Sequence, residues 1–273
     1  MSKIFDGIYL FSDIDGTLGR TETGIPKRNI NAIKNFIENG GTFGVATGRY
    51  LSDLDFVKEV PINGYSLINN GASIYSFSKN KFLYDKMLPK ESFEYFKKLA
   101  TENLDWGLVA VNKQGYLNVN YINNRIKFNK EFPTINLDTL QGPFYKFLFL
   151  VDKNKIKDII KSLNNNNLYK DVYFVQSGDN LFEMVLKGVN KGMALNFLCK
   201  EQGINIKNTF FIGDSFNDEQ IMKIAGISAC TNITDTYLKN ICDFVANSCE
   251  DGAVADFIEY ITNFILNKNK LCI

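Results

Sequence analysis

Three short apolar runs constrain this chain most, because each one ends in a polar motif. "GIYLFS" (7–12) runs into Asp13, "GTFGVA" (41–46) into Thr47-Gly48-Arg49, and "NTFFIG" (208–213) into Asp214. Each run has β-branched or aromatic residues and is bounded by Gly or Asn. That pattern predicts a strand buried on both faces of a parallel sheet. Helical periodicity precedes the second and third runs. Over 28–39 it places Ile30, Ile33, Phe36 and Ile37 on one face, with Gly40-Gly41 as the stop. Over 191–202 it places Ala194, Leu195, Phe197 and Leu198 inward, with Gly203 as the stop. Alternation of strand and helix predicts a doubly wound α/β fold, in which ligands bind beyond the carboxyl ends of the strands. The polar motifs occupy those ends.

The pattern changes in the middle of the chain. Over 85–187 the motif-bearing runs stop, and strand-like segments ("YLNVNYI", "FYKFLFLV", "DVYFVQS") mix with helical ones ("ESFEYFKKLATEN", "KNKIKDIIKSLNNN"). This predicts an α+β domain at 85–187 inserted into a core domain formed by 1–84 and 188–273. The run Asn164-Asn165-Asn166-Asn167 reads as a low-complexity loop without function. A last amphipathic helix is expected over 254–266, with Phe257, Ile258, Ile261 and Ile265 facing the core.

Composition excludes several function classes. Acids and bases nearly cancel, for a formal net charge of +1, so no basic field invites nucleic acid or an anionic membrane. No apolar stretch approaches the roughly 20 residues of a bilayer span, and "MSKIFDGIYLFSDID" lacks the pattern of a secretory signal. The five cysteines (Cys199, Cys230, Cys242, Cys249, Cys272) show no CxxC spacing, which reads as free thiols in a reducing cytoplasm rather than a metal site. The chain has no histidine. Acid–base work near neutral pH therefore falls to carboxylates, Lys, Cys or Tyr. Any metal is expected to be a hard cation on oxygen ligands, such as Mg2+.

Within "FSDIDGTLGR" the residue types suit phosphoryl chemistry. A carboxylate at a strand end can attack phosphorus. A second one two residues on can protonate the leaving group and then deprotonate water. Asp13 and Asp15 have that spacing, Gly16 permits a tight turn, and Thr17 can bond back onto its loop. Thr47 offers a hydroxyl and Gly48 an accessible backbone N–H. Arg49 offers charge, although a strand-end Arg also reads as solvent-facing. Lys191 can hold a phosphoryl group, although a lysine at a helix start also reads as a solvated charge. Asp214 and Asp13 can share Mg2+; Asp218 reads either as a metal ligand or as a partner of a helix dipole.

Four motifs in this order resemble the haloacid dehalogenase (HAD) superfamily, and within it the Cof-type, type IIB-capped phosphatases. "DIDGTL" resembles its nucleophile motif, "ATGR" the second motif, "GVNKG" the lysine motif and "GDSFNDEQIM" the acidic motif; "INNGASIY" (68–75) and "EDGAVADFI" (250–258) fit too. The resemblance implies a HAD-like Rossmannoid parallel-sheet core with an inserted α+β cap. It implies Asp13 as nucleophile and Asp15 as general acid/base, with Asp15 also offering its carbonyl to Mg2+. Thr47, Gly48, Lys191 and Asn217 would bind phosphate, and Asp214 and Asp218 would complete the metal shell.

The function so implied is Mg2+-dependent hydrolysis of a small phosphorylated metabolite, a sugar phosphate first, through an aspartyl phosphate. The alternative is a phosphomutase like the phosphomannomutases, which returns the phosphoryl group to sugar. The expected molecule is a cytoplasmic monomer or weak homodimer with no nucleic-acid or membrane partner. Cap aromatics such as Trp106, Tyr116, Tyr121 and Phe128 can stack on a substrate ring, or fill the core of the insert, where strand periodicity buries alternate positions.

Overall fold

The computed structural model describes residues 3–121 and 132–270. Phe128, named above as a cap aromatic, lies outside them. The chain forms two compact units, Met1–Asp85 with Asn190–Ile273, and Lys86–Val189.

The first segment of the discontinuous unit supplies β1 (Tyr9–Ser12), α1 (Lys27–Glu38), β2 (Thr42–Val45), β3 (Tyr65–Ile68), β4 (Ser73–Ser76) and β5 (Lys81–Asp85). The inserted unit contains α2 (Glu91–Glu102), β6 (Gly107–Asn112), β7 (Gly115–Asn120), β8 (Thr134–Asn136), β9 (Phe144–Leu150), α3 (Ile156–Asn164), β10 (Val172–Gly178) and β11 (Leu181–Leu186). The returning segment adds α4 (Lys191–Gln202), β12 (Thr209–Gly213), α5 (Glu219–Met222), β13 (Ile227–Thr231), α6 (Thr236–Ile241), β14 (Phe244–Ala246) and α7 (Ala253–Lys270).

The discontinuous unit is built on a parallel sheet of order β14-β13-β12-β1-β2. Alternate side chains leave opposite faces of each strand, and both faces are covered. Leu10, Phe43, Phe210 and Ile212 join the α1 and α7 side with Ile33, Phe36, Phe257 and Ile261. Phe11, Phe211 and Cys230 join the α4 side with Ala194, Leu195 and Leu198. The apolar runs lack alternation for this reason. β1 is central, and its register pairs Ser12 with Ile212 on one side and Val45 on the other. The residues that follow, Asp13, Ala46-Thr47 and Gly213-Asp214, are thereby brought to one edge. A small antiparallel sheet, β3-β4-β5, adjoins β2 through a bridge between Ala46 and Leu67.

The inserted unit carries a six-stranded sheet of order β10-β11-β9-β6-β7-β8, antiparallel except at β7–β8. Trp106 packs edge-on against Phe149 and Phe182, within a cluster that includes Phe96, Phe147 and Phe174. Of the two readings open for the cap aromatics, Trp106 therefore takes the core one. The Asn164–Asn167 run is more structured than a loop. The Asn164 side chain accepts from Phe174 N at 2.9 Å and donates to Phe174 O at 2.8 Å, and Asn166 caps the next turn through Leu168 N. An Asn side chain carries both a donor and an acceptor, so it can complete a strand edge as a backbone would.

Candidate active site

Asp13 follows the last residue of β1 and is held there by its own backbone, whose N–H donates to Ile212 O at 2.8 Å. Its carboxylate is buried. Lys191, the first residue of α4, is fully buried, and its ammonium donates to Asp13 Oδ1 at 2.7 Å and to Asp218 Oδ1 at 2.5 Å. The start of α4 is fixed by Asn190, whose side chain accepts from Met193 N, as an N-cap does. Gly71 allows that start to sit close: a Cβ there would lie 2.3 Å from Asn190 O. Lys191 is thus no solvated charge.

Asp218 closes the turn after β12. Its Oδ2 accepts from Asp214 N at 3.0 Å and Ser215 N at 3.1 Å, while Oδ1 takes Lys191. Both oxygens of this buried carboxylate are in use. Asp214 sits opposite. Thr17 donates to Asp214 Oδ1 at 3.0 Å, so this hydroxyl bridges to the returning segment instead of bonding back onto its own loop. Gly16, at φ +83°, lets the loop pass Asp214; a Cβ there would lie 2.6 Å from Oδ2. Any larger residue would fill the space beside the two strand-end carboxylates.

Carboxylate oxygens of Asp13, Asp214 and Asp218 come within 4.8 Å of one another. One lysine cannot neutralise three acids. Burial, countered by Lys191 but reinforced by Asp218 and Asp214, pushes the Asp13 carboxyl well above the usual range. Burial and then Asp218 push Asp214 up to about 6. Burial alone would lower the Lys191 ammonium, but Asp13 and Asp218 outweigh it and raise its pKa. A low-dielectric cluster with surplus negative charge suits a hard cation on oxygen ligands.

Asp15 lies apart from this cluster. It is exposed, and both its oxygens are held by Arg49, with Nε to Oδ2 at 2.8 Å and Nη2 to Oδ1 at 2.5 Å. Arg49 itself is buried and also donates to Thr21 Oγ1 at 2.8 Å and Asp53 O at 3.2 Å. The solvent-facing reading of Arg49 is thereby corrected. A fork-shaped guanidinium beside two carboxylate oxygens is worth more bound than solvated. No pattern in the sequence marks this pair, whose members are 34 residues apart.

The second motif is fixed through the turn after β3. Thr47 is buried; its N–H donates to Leu67 O, and its hydroxyl accepts from Arg49 N at 3.1 Å. Asn69 and Asn70 both adopt positive φ, 56° and 54°. Asn70 N donates to Thr47 O, and its Oδ1 accepts from Asn217 Nδ2 at 3.1 Å. A Cβ at Gly48 would meet the same Asn70 side chain at 3.1 Å. Asn69 is buried with no hydrogen-bond partner on either side-chain polar atom. The sequence reading gave "INNGASIY" no role; here its first turn joins the loops carrying Thr47-Gly48 and Asn217. The "EDGAVADFI" motif acts at a further remove. Buried Asn29 donates to Leu18 O at 2.9 Å and accepts from Ala255 N at 3.0 Å, tying α7 to the loop after β1.

Residues 10–258 match the family model described as haloacid dehalogenase-like hydrolase. A 5-amino-6-(5-phospho-D-ribitylamino)uracil phosphatase of Bacillus subtilis is 24% identical, covering 91% of this chain and 93% of that protein. Among solved structures, a haloacid dehalogenase-like hydrolase from Bacteroides thetaiotaomicron superposes with a TM-score of 0.80 at 22% identity, covering 93% of this chain and 99% of the other. A HAD subclass IIB sugar phosphatase superposes at 0.75 and 19% identity, over 93% and 98% of the two chains. The parallel core with an added sheet domain is the fold of those structures, and the matched length covers all four motifs. The chain is an enzyme of the haloacid dehalogenase-like hydrolase family.

Proposed function

We propose that this enzyme is a phosphatase that hydrolyses a small phosphorylated metabolite through an aspartyl phosphate on Asp13, with Mg2+ as cofactor. The observation that carries the reading is Asp13 itself, a buried carboxylate at the end of the central strand with Lys191 on one oxygen. In the first step a carboxylate oxygen of Asp13 attacks phosphorus. The ester oxygen departs and takes a proton from the Asp15 carboxyl. In the second step Asp15 removes a proton from water, which attacks the acyl phosphate and releases inorganic phosphate. In the present arrangement both Asp15 oxygens accept from Arg49, so Asp15 can serve the ester oxygen only once that pair has parted.

Thr47, Gly48, Lys191 and Asn217 are assigned to the phosphoryl group, where positioning and charge neutralisation dominate. The donor set fits Mg2+: Asp13 and Asp214 would ligate it with the Asp15 carbonyl, and Asp218 would support the shell while it holds Lys191. When bound, the ion would supply charge neutralisation for the phosphoryl oxygens.

The substrate class proposed is a phosphorylated sugar or polyol. The names of two resembling proteins support it, one a sugar phosphatase and the other acting on a phospho-D-ribityl compound. The inserted domain, placed by sequence at 85–187, is assigned to substrate choice. A cytoplasmic setting is supported by Cys199, Cys230, Cys242 and Cys249 all being free thiols. Among the described residues no helix is long and apolar enough to cross a membrane.

A panel of phosphate esters assayed for phosphate release tests the reading. Release is expected with Mg2+, and loss of it on chelation. An isomerised sugar phosphate with negligible release would replace hydrolase by mutase. Full activity in Asp13→Asn would sink both.

A further inference from the structure

Two thiols meet in the apolar layer beneath α6. Cys230 lies in β13 and is fully buried; Cys242 follows α6 and is partly exposed. Their sulfur atoms are 3.1 Å apart. We propose that Cys230 and Cys242 form a peroxide-oxidisable dithiol, a reversible covalent modification site on the corner between α6 and β14.

Three observations carry this. The sulfurs are already closer than an ordinary non-bonded contact. A disulfide at about 2.05 Å needs a further approach of only about 1 Å. Exposure is divided as a two-cysteine mechanism needs: Cys242 is partly exposed, while Cys230 is fully buried and suits the resolving role. Cys242 is the more acidic thiol of the pair. Its thiol is pulled down to about 7, chiefly by the hydrogen bond with Cys230, while that same bond and burial push Cys230 up. The contrast with the other described cysteines is sharp. Cys199 and Cys249 are buried, and burial pushes both thiols up to about 11.

The chemistry balances with hydrogen peroxide as oxidant. The Cys242 thiolate attacks one peroxide oxygen; an S–O bond forms, the O–O bond breaks, and hydroxide leaves and is protonated to water. Cys230 then attacks Cys242 Sγ. The S–S bond forms, the S–O bond breaks, and the departing hydroxide takes the Cys230 proton as a second water. The thiols lose two electrons and the peroxide gains them. A thiol reductant reverses the link by exchange.

The full-length protein tests this directly. Reduced protein is treated with hydrogen peroxide, quenched, and read by intact mass and by peptide mapping without reduction. The expected result is a loss of two hydrogens, restored by dithiothreitol, with one cross-linked peptide pair joining Cys230 to Cys242. Cys199 and Cys249 should remain free thiols. In Cys230→Ser the Cys242 sulfenic acid should persist and be trapped by dimedone; in Cys242→Ser neither adduct nor cross-link should form. No mass loss in the wild-type protein overturns the proposal. So does a link to any other cysteine, Cys272 included. The wild-type measurement decides even if a variant fails to fold.

Discussion

Among the described residues two lysines are buried against carboxylates, one in each unit, and they differ in the acids gathered around them. In the inserted unit Lys146 of β9 meets Glu183 of β11, with Nζ 3.0 Å from both Glu183 oxygens and both side chains buried. The Tyr116 ring lies 5.9 Å from the same ammonium. Glu183 is thus a close carboxylate partner of this ammonium. In the discontinuous unit Lys191 faces Asp13 and Asp218, with Asp214 close by. Desolvation is costly for both clusters. A bidentate lysine–carboxylate pair recovers much of that cost internally. The three-acid cluster cannot, and burial, with the neighbouring acids, pushes the Asp13 and Asp214 carboxyls up. Buried charge by itself does not mark a site; uncompensated buried charge does.

The largest effect expected is on turnover. Asp13→Asn removes the nucleophile and should lower phosphate release by on the order of 10^4-fold or more. It also removes one surplus charge, so thermal unfolding should show no loss of stability, a divergence typical of functional positions. A parallel fall in stability and activity would put Asp13 with the structural pair instead. Next comes Lys191→Met. It strips the paired ammonium from two buried carboxylates and should cost about 3–5 kcal/mol in denaturant unfolding. Activity should fall by roughly 10^2 to 10^3-fold through lost charge stabilisation.

A smaller effect separates the clusters by their response to metal. Asp214 titrates at about 6 in the folded chain, raised by burial and by Asp218. A raised carboxyl binds its proton more tightly folded than unfolded. Its contribution to stability is therefore present at low pH and is lost as pH rises through about 6. A cation on the cluster relieves that loss. Mg2+ should therefore raise Tm more at about pH 7.5 than at about pH 5, by on the order of 2 °C. Equal shifts at the two pH values would mean that the ion binds elsewhere.

Much of the frame was readable because strands and helices carry local periods. The three apolar runs became β1, β2 and β12, and Gly203 ends α4 in the left-handed conformation, at φ +65°. The β3-β4-β5 sheet leaves little mark in the sequence, since "INNGASIY" is broken by Asn-Gly and serine, and its turn depends on positive φ at Asn69 and Asn70. The partners inside the site were hidden for another reason. Lys191 reaches Asp13 across 178 residues, and Thr17 reaches Asp214 across 197. No local pattern says that a lysine opening a helix will be buried. Only the convergence of β1 and β12 on one edge makes it so.

The smallest effect belongs to the Lys146–Glu183 pair and tests the comparison most sharply. Lys146→Met alone leaves the buried Glu183 carboxylate without its lysine and should cost about 3–5 kcal/mol. Replacing both, as Lys146→Met with Glu183→Leu, removes the charges together and their desolvation with them. The strand register puts Leu148 and Val109 on the same face as the pair, and both are buried. The double variant should therefore unfold within about 1 kcal/mol of wild type, or above it. The matching experiment in the other cluster cannot come out neutral in function, because Asp13 is assigned to the chemistry. If the double replacement instead costs as much as the single one, the Lys146–Glu183 pair binds something more than itself, and charge balance ceases to separate structure from site in this protein.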